Sequence, residues 1–311
     1  MAMTYAPRRM SPIQIADHAD RHRLETCPFD PGVPIDFSRP FVCPSLTTLY
    51  YTPVWERLSG EDQLRYTQLS ALSFNELIAW FEESFSSTLM ALRESQRVPA
   101  ELRTLLPDFI ADERRHQDTW WALNRFADPD RYSSNVAAIT RIAPLARGLM
   151  RWLASRPLQY PVVVWLMLIL EEHGNEIARR CAAKRPHEIE GHSAAAYLAH
   201  VRDETRHVQI DWHLIDSLWP RLDGWRRHVN VSLFRLVLGR LLFRPEHAAI
   251  SVVNELARER PHLRPLLPHM RTALRGVAQQ PEFRSMMFSA QSSPIAFHLL
   301  SRFPELRSAM A

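Results

Sequence analysis

The sequence predicts an all-α protein built on a four-helix-bundle core, with additional helices and an irregular N-terminal arm. Three observations carry this. Apolar residues recur at helical spacing through most of the 311 residues, no segment shows sustained period-two alternation, and one short string, Asp-Glu-x-x-His, occurs twice inside helical segments.

The elements follow in order. Residues 1–60 are rich in proline (Pro28, Pro31, Pro34, Pro40, Pro44, Pro53) and short on periodicity, which reads as an arm wrapped on the rest. Helices are expected at about 61–95, 100–127, 137–155, 158–184, 191–218 and 225–243, then shorter ones to the end. Pro107 is placed to break or kink the second, and Asp128-Pro129-Asp130 marks a turn after it. Residues of about 61–220 would form the bundle. Residues 221–311 carry no readable motif and are expected to pack over the bundle as accessory helices or to form a homodimer face. No linker divides the chain, so a single domain over residues 1–311 is expected.

Composition excludes several classes of function. With 8 glycines against 23 prolines there is no glycine-rich phosphate loop, so any redox partner must come from outside. The net charge of +4 is mild, and basic pairs such as Arg8-Arg9, Arg179-Arg180 and Arg226-Arg227 are dispersed, which argues against nucleic acid. Three cysteines, Cys27, Cys43 and Cys181, are too few and too irregular for a disulfide framework or a thiolate zinc site, and fit a reducing cytoplasm. The longest apolar run, Pro161 to Leu170, is ten residues, about half of a membrane span, so a soluble protein without a membrane partner is expected. That run ends in Glu171-Glu172. A helix apolar all round is buried, and carboxylates arriving directly after it are costly to bury unless positive charge compensates, as a metal would.

The repeated string is Asp112-Glu113-Arg114-Arg115-His116 and Asp203-Glu204-Thr205-Arg206-His207. In each copy Glu and His stand three residues apart on one helical face, so two such helices offer two carboxylates and two imidazoles to a pair of metal ions. His200, four residues before Glu204, shares the same arc. A dinuclear bundle takes one more glutamate from each of two preceding helices. In the first of these, Glu82 flanks the apolar stripe of Phe74, Leu77, Ile78, Phe81, Phe85, Leu89 and Leu92. Glu76 and Glu83 lie roughly opposite and are expected to face solvent. In the second, Glu171, Glu172 and Glu176 cannot be separated by periodicity, because the preceding run is apolar on every face. Asp112 and Asp203 are placed to accept an N–H from the histidine of the opposite motif, which would fix its tautomer. Arg202 and Arg206 are candidates for balancing the negative charge. Two other histidine strings are set aside. His187-Glu188-Ile189-Glu190-Gly191-His192 has its histidines five apart rather than four and reads as loop, and His18 and His22 have no carboxylate-rich partner run.

The segments Asn75-Glu76-Leu77-Ile78-Ala79-Trp80-Phe81-Glu82, Asp112-Glu113-x-x-His116, Trp165 leading to Glu171-x-x-x-Asn175, and His200-x-x-Arg202-Asp203-Glu204-Thr205-x-His207 resemble the diiron N-oxygenases typified by p-aminobenzoate N-oxygenase. The resemblance spans about residues 45–220. Its most specific part is the last string, because the additional histidine sets this family apart from diiron proteins with two. The resemblance implies a ferritin-like bundle with metal ligands Glu82, Glu113, His116, Glu171, His200, Glu204 and His207. Glu171 is taken over Glu172 because Asn175 then matches four residues later.

The resemblance further implies two iron ions and O2 as co-substrate. An amine nitrogen would be oxidised through a peroxo-diferric intermediate to the hydroxylamine, nitroso or nitro level, with electrons from a ferredoxin or flavin reductase. The p-aminobenzoate enzyme has an arginine where this chain has Leu77, which speaks against p-aminobenzoate itself; most of the apolar side chains beside Glu82 are expected to be plain core. Rival readings are a diiron desaturase or hydroxylase acting on carbon, which would share the metal site, and a ferroxidase or iron-storage protein, which would need neither the length nor His200. A ribonucleotide reductase small subunit would hold a tyrosine near its first carboxylate, and none follows Glu82 within a few turns.

Overall fold

Ser59 starts the longest helix. Its Oγ accepts the Asp62 N–H at 3.2 Å and donates to the Asp62 carboxylate at 2.7 Å, while Glu61 and Asp62 place negative charge at the positive end of the helix. The computed structural model describes residues 7–22, 28–183, 188–241 and 246–307. Its helices are α1 (Pro12–His22), α2 (Gly60–Arg93), α3 (Ala100–Arg103), α4 (Leu106–Ala127), α5 (Pro144–Ala154), α6 (Val162–Ala178), α7 (Gly191–Leu218), α8 (Gly224–Leu241), α9 (Glu246–Glu259), α10 (Leu267–Gly276), α11 (Pro281–Met287), α12 (Pro294–Arg302) and α13 (Pro304–Arg307). There is no strand among the described residues, and no described helix is long and apolar enough to cross a membrane. The fold is all-α and ferritin-like.

Four helices make the core. α2 packs along α4 and α6 along α7, and the two pairs face each other, so each motif-bearing helix lies beside the helix that precedes it. α6 is the central rod. Every residue from Val162 to Ile169 is fully buried, as an all-round apolar helix requires. Trp165 meets Trp219, Phe234 and Phe303 edge-on at centroid distances of 5.8–6.0 Å, and this ties α8 and the α12–α13 junction to the bundle. The last third therefore packs over the bundle, with α9 on α2 and α12 on α6 and α7. The N-terminal arm is held by backbone groups. Gln68 donates to the Phe37 and Arg39 carbonyls, the Pro40 carbonyl accepts the Glu190 N–H, and the Cys43 N–H reaches the buried Cys181 sulfur at 3.0 Å.

Three helix boundaries differ from expectation. The 100–127 segment is two helices, and Pro107 falls in the first turn of α4, where its missing N–H costs nothing, so it does not kink the ligand region. The expected 158–184 helix begins at Val162, ends at Ala178, and passes into a π-helical turn over Arg179–Ala183; Lys184 lies outside the described residues. The expected 137–155 helix begins only at Pro144, because the N–H groups just before it are used elsewhere.

Those N–H groups go to Glu76, which corrects the expectation that Glu76 faces water. Glu76 is 1% exposed. Its Oε1 accepts from the Tyr132 hydroxyl at 2.7 Å and from the N–H of Ala138 and Ile139 at 2.8 and 3.0 Å, and its Oε2 accepts the Thr140 N–H at 2.6 Å. Glu83, by contrast, is exposed as expected. One carboxylate thus anchors the whole connection between α4 and α5. Glu76→Ala would leave four donors unsatisfied and is expected to cost roughly 3 kcal/mol or more in urea unfolding; a loss under about 1 kcal/mol would mean that the connection is held by other contacts.

His187 and the side chain of His22 fall outside the described residues. His192 pairs with Glu190 at 2.6 Å while Glu190, as the α7 N-cap, accepts the Ser193 N–H at 2.8 Å.

Candidate metal centre

α2 contributes Glu82, α4 contributes Glu113 and His116, α6 contributes Glu171, and α7 contributes His200, Glu204 and His207. All seven are buried. Glu204 Oε1 lies 3.2 Å from both His207 Nδ1 and His200 Nε2, and 3.6 Å from His116 Nδ1. Glu82 Oε1 lies 3.2 Å from His200 Nε2 and 3.7 Å from His116 Nδ1, and accepts the Trp120 indole N–H at 3.1 Å. Glu113 Oε1 is 3.3 Å from His207 Nδ1. Two donor groups result, Glu113–His116–Glu204–His207 and Glu82–His116–His200, with the ligand atoms of each within 4.8 Å of one another and His116 common to both. Phe109 stacks on the His207 ring at 3.8 Å and holds it flat.

The three glutamates of α6 separate cleanly. Glu171 points toward Glu113, Glu204 and Asp211, and burial together with these charges raises its pKa well above the ordinary carboxylate range. Glu172 turns away, and its two oxygens accept the N–H groups of Ile295 and Ala296 at 2.7 and 2.9 Å, which caps α12. Glu176 pairs with Arg180 at 2.5 Å and with Arg179. Glu171→Gln is therefore expected to lower metal content, whereas Glu172→Gln is expected to keep it and to cost about 1–2 kcal/mol of stability through the weakened cap. Metal analysis of the two purified variants checks this, and metal loss from Glu172→Gln alone would reverse the assignment.

Behind the histidines the two motifs cross over. His116 Nε2 lies 3.0 Å from Asp203 Oδ2, and His207 Nε2 lies 3.3 Å from Asp112 Oδ2, so each imidazole turns Nδ1 toward the glutamates. Arg115 bonds Asp203 at 2.6 Å and Asp112 at 2.8 Å, and Arg206 is buried against Asp112. The charge-balancing pair is thus Arg115 and Arg206. Arg202, expected in this role, is exposed on the outer face of α7. The signal was present in the sequence, since both copies read Asp-Glu-x-Arg-His.

Sequence reasoning also missed Asp211, which is fully buried and lies four residues beyond His207 on the same face of α7. Asp211 and Glu171 can share a hydrogen bond only when one of them is protonated, and burial raises both pKa values well above the usual range.

Burial dominates the electrostatics. It raises Glu82 to about 7, raises Glu113 and Glu204 well above the carboxylate range with help from neighbouring carboxylates, lowers His200 to about 4, and lowers His116 and His207. Only Asp203 ends lower, because His116 and Arg115 outweigh its burial. Glu82 Oε2, Glu113 Oε2, Glu204 Oε2, both Glu171 oxygens and His116 Nδ1 are buried without a hydrogen-bond partner. Such groups are rare singly and costly together. Cations held by the two donor groups would satisfy the Glu82, Glu113, Glu204 and His116 atoms, while Glu171 stands outside both groups, beside Glu113, Glu204 and Asp211; a mixed carboxylate and imidazole set fits first-row divalent ions.

A cavity of about 200 Å³ opens on this cluster and is lined by Glu82, Glu113, Glu171, His200 and Glu204. Phe74, Leu77, Ile78, Phe81 and Phe85, expected to be mostly plain core, form one wall. Leu46, Thr47 and Thr48 of the arm and Ala248, Ala249 and Val252 of α9 close the other side, so the segments without motifs help to shape the site.

The family model of p-aminobenzoate N-oxygenase AurF matches residues 17–287, extending on both sides beyond the 45–220 stretch in which the motifs lie. Among curated proteins, none matches this chain. The matched span includes the arm from residue 17 on and the α9 wall as well as every residue of the carboxylate and imidazole cluster, and the chain belongs to the p-aminobenzoate N-oxygenase AurF family.

Proposed function

We propose that the protein is a non-heme diiron N-oxygenase that oxidises the nitrogen of a small-molecule amine. The observation that carries this reading is the buried set of four glutamates and three histidines, with orphaned oxygens, opening on an apolar cavity. Glu82, Glu113, His116, Glu171, His200, Glu204 and His207 would hold two iron ions, and the bound ions would supply activation of O2 at the cavity wall. The overall first step balances as amine plus O2, two electrons and two protons giving hydroxylamine and water. The electrons would come from a separate ferredoxin or flavin reductase.

The chain's own groups prepare the site. Asp203 and Asp112 accept the Nε2–H of His116 and His207, which leaves Nδ1 of each free to bind metal and makes it more basic. Arg115 together with His116 holds the Asp203 carboxyl below its ordinary range, and Arg206 pairs with Asp112. Trp120 fixes Glu82 through Oε1. The phenylalanine and leucine wall would give a bound amine an apolar surface beside the carboxylates.

The test is to load anaerobic protein with ferrous iron, count metal per chain, and supply O2, reductant and amines. About two irons per chain with amine-dependent O2 uptake and an N-oxygenated product is expected. Two irons with oxidation at carbon would replace the reading with a hydroxylase or desaturase, and iron uptake into a mineral would replace it with storage.

A further inference from the structure

His173 lies on α6 two residues beyond Glu171, lines the cavity, and is 8% exposed. Its Nδ1 is buried without a hydrogen-bond partner. Most other polar side chains of the lining outside the carboxylate and imidazole cluster are engaged: Thr47 donates to the Pro44 carbonyl, the Tyr66 hydroxyl accepts the Leu49 N–H, Ser70 donates to the Tyr66 carbonyl, and Ser73 bonds Thr140, which leaves His173 and the smaller Thr48 hydroxyl on the arm side. An unpartnered imidazole in such a wall costs free energy unless a bound molecule completes it. A neutral imidazole offers one N–H and one acceptor, and because the unpartnered Nδ1 is itself covered, a rotation of the ring is what would present it to the cavity.

The rest of the lining restricts what can complete it. Among the described lining residues there is no arginine or lysine, and four of them are the glutamates of the cluster. A carboxylate on the substrate would add a further buried negative charge with no counter-ion. The phenylalanine wall suits a flat apolar ring, and a cavity of about 200 Å³ holds a substituted ring, since cavities of about 150 Å³ accept benzene.

We propose that His173 is a specificity-determining residue, which hydrogen-bonds an uncharged polar substituent, such as a carboxamide or hydroxyl, on an otherwise apolar aromatic amine. The substrate class rests on the N-oxygenase reading, whereas the subsite rests on the cavity alone. Three probes separate the two: 4-aminobenzamide, 4-ethylaniline and 4-aminobenzoate, titrated calorimetrically into the full chain, iron-loaded and kept anaerobic so that nothing turns over. The wild type is expected to bind 4-aminobenzamide at least tenfold more tightly than 4-aminobenzoate. His173→Leu is expected to weaken 4-aminobenzamide about five- to tenfold while leaving 4-ethylaniline within about twofold, and His173→Gln to recover most of the loss. Iron content and the circular dichroism melt of each variant report whether the bundle is intact.

Equal weakening of the amide and ethyl probes by His173→Leu, or no weakening of either, would overturn the proposal. So would tighter binding of the benzoate than of the amide to the wild type. If 4-aminobenzamide keeps its dependence on His173 but oxygenated turnover leaves its nitrogen untouched, the subsite stands and the N-oxygenase reading falls.

Discussion

Glu204→Gln is expected to abolish paired-metal binding and, at the same time, to make the metal-free protein more stable. Glu204 Oε1 lies within 3.6 Å of three imidazole nitrogens, so it sits where both donor groups meet, and its second oxygen is buried without a partner. Without metal, burial and the charges of Glu82, Asp203 and Asp211 all oppose its ionisation. Glutamine removes that burden at constant shape, and neutralising one such group is expected to raise the melting temperature of the metal-free protein by about 2–4 °C. The same change removes an anionic oxygen that lies beside imidazoles of both donor groups. Iron per chain is expected to fall from about two to below one, and the stabilisation that iron gives the wild type, about 2.7 kcal/mol at a hundredfold excess over Kd, is expected to vanish. Glu83→Gln on the exposed face of the same bundle serves as the control. Two irons retained by Glu204→Gln would remove Glu204 from the ligand set.

Local signals picked out most of the buried glutamates and histidines that the fold brings together, because residues at i, i+3 and i+4 share a face whatever their partners. The crossing of Asp112 to His207 and Asp203 to His116 was legible for the same reason, since two antiparallel copies of one motif place each aspartate opposite the other's histidine. Phase failed where the helix had none. α6 is apolar on every side, so only tertiary contacts reveal that Glu172 caps α12 while Glu171 turns inward. Glu76 was misread because the face opposite an apolar stripe is exposed only if nothing covers it, and here residues 132–140 do. Asp211 was missed by stopping at the end of the motif one turn too soon. The cavity walls drawn from the arm and α9 carry no sequence pattern, because small and apolar residues that line a cavity look like residues that fill a core.

The metal-free protein is expected to lose stability as pH rises from 6.5 to 8, and iron to reverse that trend. The sign follows from which state holds protons more tightly. Burial raises Glu82 to about 7 and Glu172 to about 8, and raises Glu113, Glu171, Glu204 and Asp211 well above their ordinary values. The unfolded chain releases these protons near the ordinary glutamate value of 4.5. The native state keeps them to higher pH, so each group costs stability progressively from that value up to its native pKa. The histidines act in the opposite sense, but only at lower pH. His200 and His173 are lowered to about 4 from 6.5, and His116 and His207 are also lowered, so they add stability as pH rises toward 6.5 and are neutral in both states above it. In the window from 6.5 to 8 only the carboxylates remain. One group still protonated throughout contributes a slope of about 1.4 kcal/mol per pH unit, so the native state is expected to lose at least about 2 kcal/mol across the window. Iron requires the four candidate ligands among them, Glu82, Glu113, Glu171 and Glu204, deprotonated, so it displaces their protons and binds more tightly at pH 8 than at 6.5. Urea unfolding at the two pH values, with and without ferrous iron, therefore reads the cluster twice. A metal-free protein as stable at pH 8 as at 6.5 would mean that the carboxylates are solvated or already paired, and a metal affinity indifferent to pH would mean that iron is held elsewhere.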